Sequence, residues 1–275
     1  MRLITRVLVF LSVVAVVFGA SSASAQYRKA PINEPATGET YHVEFGVGLI
    51  SPTPEMLVSS ESLGIIGDQI DGVNDLGMSK TTFKEFRLVL RPFKKHKFRF
   101  GYIPINYSAE AILKRRIVFN GIAYNVGMPV NSSLDWKAMR FGYEYDFIYR
   151  DRGFVGLILE AKYTDVEVNL ASPVDSEYAR VRAPIPTIGG IVRVYPVANV
   201  AITGEVTGFK LPTSVDKANR YDGRYVDFDI YGTLNFTNNV GVQGGYRSLD
   251  VSYRVKTDTG SFKLSGPYIM GVARF

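Results

Sequence analysis

The sequence predicts an all-β protein whose strands close into an antiparallel, up-and-down transmembrane barrel. Long stretches alternate apolar and polar side chains with a period of two, as strands with one apolar face do. The chain is rich in aromatic residues, with 17 Tyr and 17 Phe, and has no cysteine. Its first 25 residues are predicted to be an export signal, and no later apolar run reaches the roughly 18 residues of a membrane-spanning helix. Together these three observations favour a barrel over a soluble or helical membrane protein.

Residues 1–25 have the layout of a secretory signal peptide. Two arginines precede an apolar run from Val7 to Phe18, and Ala23-Ser24-Ala25 forms the cleavage site. That run is too short to span a bilayer, which takes roughly 20 residues. Residues 26–38, with two prolines, are expected to form a periplasmic lead-in, and residues 39–275 the barrel.

The first part of the barrel is predicted to hold three strands. The first lies at 39–50, and residues 51–80, which contain two prolines, form a long outer loop. The second strand lies at 81–93, and a tight polar turn at 94–97 leads to the third strand from Phe98.

The middle of the chain is predicted to hold the fourth and fifth strands. Residues 108–133 form a second outer loop with a hairpin at Asn120-Gly121, the strongest short hairpin signal in a sequence. The fourth strand lies at 136–149, and the fifth begins near Val155. A loop at 169–184 follows.

Five more strands complete the predicted barrel. They begin near Ile188, Val200, Val226, Val240 and Gly266. Short turns join the strands at one end and longer loops at the other, which is typical of transmembrane barrels. The count is ten strands, and loss or merging of a pair would leave eight as the alternative.

Charges of both signs occupy the face opposite the apolar one. A lipocalin-like barrel would bury its apolar face, so here that face is expected to meet lipid and the charges to face the lumen. Eight acids and eight bases are assigned to the lumen: Glu44, Glu85, Arg87, Arg91, Arg99, Arg140, Glu144, Asp146, Glu160, Lys162, Arg193, Glu205, Asp227, Asp229, Arg247 and Arg274. An unpaired buried charge costs several kcal/mol, so this balance favours a lumen filled by ion pairs. A pore lined by charge is the alternative.

The last ten residues alternate as a closing strand. Ile269, Gly271, Ala273 and Phe275 fall on one face, and the chain ends on the aromatic Phe275. This pattern resembles the last strand of bacterial outer-membrane barrels, whose C-terminal Phe is read by the insertion machinery.

Taken together, the mature chain resembles the small bacterial outer-membrane barrels of the OmpA/OmpW-like kind. The resemblance implies a porin-like envelope protein in a Gram-negative outer membrane, with both termini in the periplasm. It also implies contact with lipid and lipopolysaccharide, insertion by the barrel-assembly machinery, a monomeric state and no nucleic-acid partner. Such barrels have varied activities, so the fold does not select a function.

No catalytic, metal or cofactor site is predicted, and the protein is expected not to be an enzyme. Catalysis would need a nucleophile, a base and an orienting group together, and the two histidines, His42 and His96, lie near the short turns. Oxygen ligands cluster between Asp68 and Asp75, but without EF-hand spacing, so a solvated turn is favoured over a Ca²⁺ site. Lys114-Arg115-Arg116 begins the second outer loop, either to contact lipopolysaccharide phosphates or as an ordinary charged segment.

The sequence therefore predicts a barrel with a structural or surface-interaction role, carried by its extracellular loops. A narrow passive channel for small solutes is the alternative, and a lipid A-modifying enzyme is less favoured.

Overall fold

Ten antiparallel strands form a closed barrel, because the last strand of the chain pairs with the first. The computed structural model describes residues 36–59, 68–119, 121–173, 176–211, 221–255 and 258–275. Within these ranges no helix is long and apolar enough to cross a membrane. The signal peptide and most of the lead-in predicted at 26–38 lie outside the described residues.

The described residues form fourteen β-strands. They are β1 (Val43–Ile50), β2 (Thr53–Ser59), β3 (Ile70–Asp71), β4 (Phe83–Phe93), β5 (His96–Ile112), β6 (Ile117–Phe119), β7 (Ile122–Tyr124), β8 (Pro129–Arg150), β9 (Gly153–Ala171), β10 (Ser176–Val197), β11 (Val200–Lys210), β12 (Tyr221–Asn235), β13 (Val240–Val255) and β14 (Asp258–Arg274).

β1 and β2 act as one barrel strand. Ile50 pairs with Tyr268 and Thr53 pairs with Ser265, so both segments keep the same register against β14 across the break at Pro52. The other nine barrel strands are β4, β5 and β8 to β14. The predicted count of ten is confirmed, and eight is excluded.

Tight turns lie at one end of the barrel, called here the turn end, and longer connections lie at the other, the loop end. At the loop end, β6 and β7 form a hairpin around Gly121, which has the positive φ of 85° that such a turn requires. The hairpin predicted there is therefore present, although Asn120 itself lies outside the described residues.

Several segments predicted as loops are strands. β2 occupies part of 51–80, β5 and β8 extend into 108–133, and β9 and β10 extend into 169–184. At the first strand the error is the opposite, since β1 begins at Val43 and not at residue 39. The outward face becomes polar toward the loop end, so the apolar alternation that identified the strands fades there.

β8 shows this change within one strand. Its outward positions read, from the loop end, Asn131, Ser133, Asp135 and Lys137, then Met139, Phe141, Tyr143, Tyr145 and Phe147. Its inward positions read Val130, Ser132, Leu134, Trp136 and Ala138, then Arg140, Gly142, Glu144 and Asp146. Both faces therefore exchange polarity near residue 138.

The whole barrel is divided in the same way. An outward apolar belt surrounds the turn-end half and includes Phe45, Val47, Leu49, Phe98, Phe141, Leu157, Leu159, Ile188, Val192, Ile202, Val206, Ile230, Leu234, Tyr246 and Ile269. The largest buried apolar cluster fills the loop-end half, with Ile105, Leu134, Trp136, Leu249, Phe262 and Leu264. The buried charges thus lie in the turn-end half, and the interior of the loop-end half is mainly apolar.

A glycine beside the closing seam gives a test of barrel closure. A Cβ added at Gly48 would lie 2.4 Å from the Ile269 carbonyl oxygen, whereas one at Gly204 would meet nothing within 4 Å. Overpacking of this kind costs about 1–3 kcal/mol. We expect Gly48→Ala to lower the urea midpoint of the refolded barrel and Gly204→Ala to leave it unchanged or slightly raised. Equal midpoints would contradict the seam geometry.

Candidate functional site

A continuous chain of seven charged side chains crosses the turn-end interior. Glu85 lies between Arg87 and Arg247, at 2.8 Å from each, and Arg87 also binds Asp229 at 2.9 Å. Arg247 continues to Asp227 at 2.7 Å. Lys162 contacts Asp227 and also Glu160, at which the chain ends. Strands β4, β9, β12 and β13 are linked through the interior in this way.

A second chain of six charges links β5, β8 and β11. Glu205 binds Arg140 at 3.0 Å and also Arg99, which in turn binds Glu144 at 3.1 Å. Glu144 accepts a hydrogen bond from Lys97 at 2.7 Å, and the same ammonium lies 2.8 Å from Asp146.

Residues 36–42, which precede β1, lie across the turn end. Glu39 accepts hydrogen bonds from Arg193 at 2.9 Å and from the Tyr195 hydroxyl at 2.6 Å. It also lies 3.4 Å from Arg91. Residues 36–42 thus place one carboxylate over the interior and against two of its arginines.

All sixteen side chains assigned to the lumen are buried, and each makes at least one ion pair. Sequence reasoning missed Lys97 and Glu39, which bring the eight acids and eight bases to nine of each. Lys97 lies in the predicted turn at 94–97, but it shares the alternation of Arg99 and could have been found by the same reasoning. Glu39 begins the predicted strand at 39–50 in phase with the apolar Tyr41, so alternation does not assign it to the lumen. In the structure β1 begins only at Val43, and Glu39 lies before it.

Little space remains between the charges of the two chains. Two voids that these charges line measure about 30 Å³ and about 20 Å³. Because one water needs roughly 10–15 Å³, each void has room for one or two waters. A larger, open pocket of about 510 Å³ lies at the turn end itself, where Glu39, Arg91 and Tyr149 line it.

Two loop segments, residues 68–78 and 113–128, form a cap over the loop end. Arg115 binds Asp75 at 2.6 Å, and the Val118 amide donates to the Asp68 carboxylate at 2.8 Å. The hydrogen bond from Arg115 holds the pKa of Asp75 below its ordinary value. Eight apolar side chains of the cap are buried: Ile70, Leu76, Met78, Leu113, Ile117, Val118, Phe119 and Tyr124.

The acidic cluster between Asp68 and Asp75 is engaged in local structure. Asp71 accepts the Val73 and Asn74 amides at 2.9 and 3.0 Å, and Asp75 is bound by Arg115. These hydrogen bonds stabilise a turn within the cap. In the predicted basic segment 114–116, Arg115 makes its ion pair with Asp75 of the same cap.

A cavity of about 200 Å³ lies in the loop-end interior, apart from the ion pairs. Its walls are mainly apolar and aromatic, with Trp136, Phe209, Tyr225 and Phe262 among them. Neither histidine is near it. His42 contacts the Arg91 carbonyl and His96 contacts the Tyr143 hydroxyl, both at the turn end.

The predicted C-terminal signal residues lie on the outward face of β14. Ile269 and Phe275 are 59% and 75% exposed, and the Phe275 amide and carbonyl both bond to Val43. The terminal residue therefore takes part in the seam that closes the barrel.

A pair of aspartates tests the interior ion pairs. We expect Asp227→Asn to destabilise the barrel by about 3–5 kcal/mol, since it leaves Arg247 and Lys162 buried with less compensation. The matched control is Asp250, which lies 3.8 Å from the half-exposed Arg224. Asp250→Asn should lower the free energy of unfolding by about 0–1 kcal/mol. Urea unfolding in detergent measures both, and equal costs would mean that the interior pairs are hydrated.

Comparisons with known proteins identify the fold alone. No family model matches the chain, and no curated protein matches it. The outer membrane protease OmpT from Escherichia coli has a similar structure, with a TM-score of 0.52 and 8% identity over 88% of this chain and 99% of that one. The Pseudomonas putida toluene transporter TodX has a TM-score of 0.36 and 9% identity, over 89% of this chain and 93% of that one. Ail, the attachment invasion locus protein of Yersinia pestis, has a TM-score of 0.36 and 6% identity, over 83% of this chain and 99% of that one. The chain has the closed antiparallel barrel fold, which hosts unrelated activities.

Proposed function

We propose that the protein is an integral outer-membrane barrel with a closed lumen and a structural or surface-interaction role. The observation that carries this proposal is the pair of ion-pair chains, which cross the turn-end interior with water-sized voids of about 30 Å³ and about 20 Å³ beside them. A narrow channel would need a continuous wet path through the same region.

The outward belt supports the membrane placement. Exposed apolar side chains on every side of the turn-end half, such as Phe141, Leu159 and Ile230, suit contact with hydrocarbon. The tight turns and both ends of the barrel would then face the periplasm. Beyond Tyr163, β9 continues to Ala171 with polar residues on its outward face. This length places the tip of the strand roughly 20 Å above the belt.

Lipopolysaccharide is the partner proposed for the rim of the belt. Outward-facing basic residues follow directly after the apolar positions on several strands: Lys84, Lys137, Lys210 and Arg224. Amines and guanidiniums at this height suit the phosphates of lipid A. The cap and the projecting strands β8 to β10 would carry contacts with other partners at the cell surface.

We propose no catalytic role. The two histidines lie at the turn end, away from the cap and the cavity, so neither is placed to act on a substrate at the cell surface.

Two arginine substitutions test the membrane placement. Ile230 lies in the belt and Ser108 faces outward beyond it. Arginine at a lipid-facing midplane site costs roughly 2–4 kcal/mol, and arginine in water costs almost nothing. We expect Ile230→Arg to impair assembly into vesicles, measured by the gel shift between unboiled and boiled samples, and Ser108→Arg to assemble normally. Equal assembly would contradict the position of the belt.

Planar-bilayer recording tests the closed lumen. We expect the purified, full-length barrel to give no steady conductance steps, because the charged chains fill the cross-section. A general porin reconstituted in the same way is the positive control, and the gel shift confirms that the silent protein has inserted. Steady steps whose ion selectivity changes on neutralisation of Arg140 would favour the channel instead.

A further inference from the structure

Four neighbouring strands present a polar surface on the outside of the loop-end half. β5, β8, β9 and β10 are paired there in unbroken register. The outward residues at 106–108 of β5, 133–137 of β8, 165–169 of β9 and 178–182 of β10 lie side by side and are called here the polar face. This face lies beyond the apolar belt on the same strands.

The charges of the polar face neutralise one another. Arg180 binds the Asp165 carboxylate through two hydrogen bonds of 2.8 Å and lies 3.2 Å from Glu167. Arg182 lies 3.2 Å from Asp165 as well. The outward positions of the face hold three acids and three bases in all. As a whole, the polar face therefore favours a neutral partner over an anion.

Uncharged hydrogen-bonding groups and one aromatic ring occupy the part of the face that lies farther from the belt. Asn169 lies between Ser133 of β8 and Tyr178 of β10 in a single cross-strand row. Its amide nitrogen donates to the Ser133 hydroxyl at 3.2 Å and to the Glu167 carboxylate at 3.3 Å, which fixes the plane of the amide. Tyr178 is 62% exposed, so its ring is accessible to a partner.

This combination of side chains suits a sugar. An exposed tyrosine offers a rigid amphipathic surface, and Ser and Asn beside it offer adaptable hydrogen bonds. The C–H face of a sugar ring packs against an aromatic ring, and its hydroxyls both donate and accept hydrogen bonds, as the amide and hydroxyl groups require. Because ion pairs and hydrogen bonds already hold the side chains of the face, little side-chain entropy is lost on binding.

The height of the polar face indicates where the sugar comes from. Asn169 lies six residues beyond Tyr163 on β9, which places it roughly 15 Å above the belt. The headgroup region of one leaflet takes about 5–8 Å of this height. In an outer membrane, the layer directly outside the headgroups is formed by the oligosaccharide of lipopolysaccharide.

We propose that the polar face binds the oligosaccharide of lipopolysaccharide in the surrounding leaflet, with one neutral sugar ring packed on Tyr178. The inference rests on the membrane placement proposed above and deepens the contact with lipopolysaccharide. The basic residues at the rim of the belt would hold the phosphates of lipid A, and the polar face would hold the sugars attached to them.

Binding of the core oligosaccharide, released from rough lipopolysaccharide by mild acid, tests the proposal. The full-length barrel in detergent is titrated and followed by saturation-transfer difference NMR, and we expect a saturable signal. Tyr178→Ala should weaken binding roughly three- to tenfold, and Tyr178→Phe, which keeps the ring, should bind nearly normally. Leu57→Ala, which removes an exposed side chain of β2 on the opposite wall, is the matched control and should bind as the unmodified protein does. No saturable signal, or equal binding by Tyr178→Ala and Leu57→Ala, would overturn the proposal.

A second variant tests the polar part of the face. Asn169→Ala should weaken binding of the oligosaccharide roughly two- to tenfold, as loss of one hydrogen bond does. Lipid A, which lacks the core sugars, should bind this variant and Tyr178→Ala as it binds the unmodified protein. Equal losses for lipid A and for the oligosaccharide would overturn the assignment of the polar face to sugar.

The sugar site and the membrane placement fail in distinguishable ways. The oligosaccharide has no acyl chain, so its binding in detergent does not depend on insertion into a bilayer. A barrel that inserts normally, as the gel shift shows, but does not bind the oligosaccharide would overturn the sugar site alone. Failure to insert into vesicles would overturn the membrane placement and, with it, lipopolysaccharide as the source of the sugar.

Discussion

Closure of the sheet is the constraint on which the rest of this structure depends. In hydrocarbon an unpaired amide or carbonyl has no water to bond, so only a sheet without edges is stable there. The seam between β1 and β14 meets this requirement from Glu44–Arg274 to Ile50–Tyr268. Once ten strands are closed, the interior is fixed in size and its inward side chains have to fill it.

The two halves of the barrel fill that interior in opposite ways because their surroundings differ. Where the outward face is apolar, the inward face holds charges, and these are tolerated because each has a partner of opposite sign. Where the outward face is polar, the inward face is an apolar core like that of a soluble barrel. The exchange falls within single strands, at residue 138 of β8 and between Tyr163 and Asp165 of β9.

This division also separates two kinds of interior. The two ion-pair chains link strands β4, β5, β8, β9 and β11 to β13 across the turn-end half. The cap and the apolar cavity lie together in the loop-end half, where the buried side chains are mainly apolar.

The sequence by itself determined the barrel fold, with ten strands predicted and eight as the alternative, and it placed sixteen charges on one face, because alternation separates the apolar and charged faces of a strand. Glu39 was not among them, since it is in phase with the apolar residues of the predicted first strand. The lengths of β2, β10 and β14 were not predicted either. Both faces of the strands change polarity toward the loop end, so the outward apolar residues that identify a strand are missing there. Only the tertiary structure decided how the charges pair, and that Trp136, Phe209 and Tyr225 surround one cavity. These residues are far apart in the chain, and strand register alone brings them together.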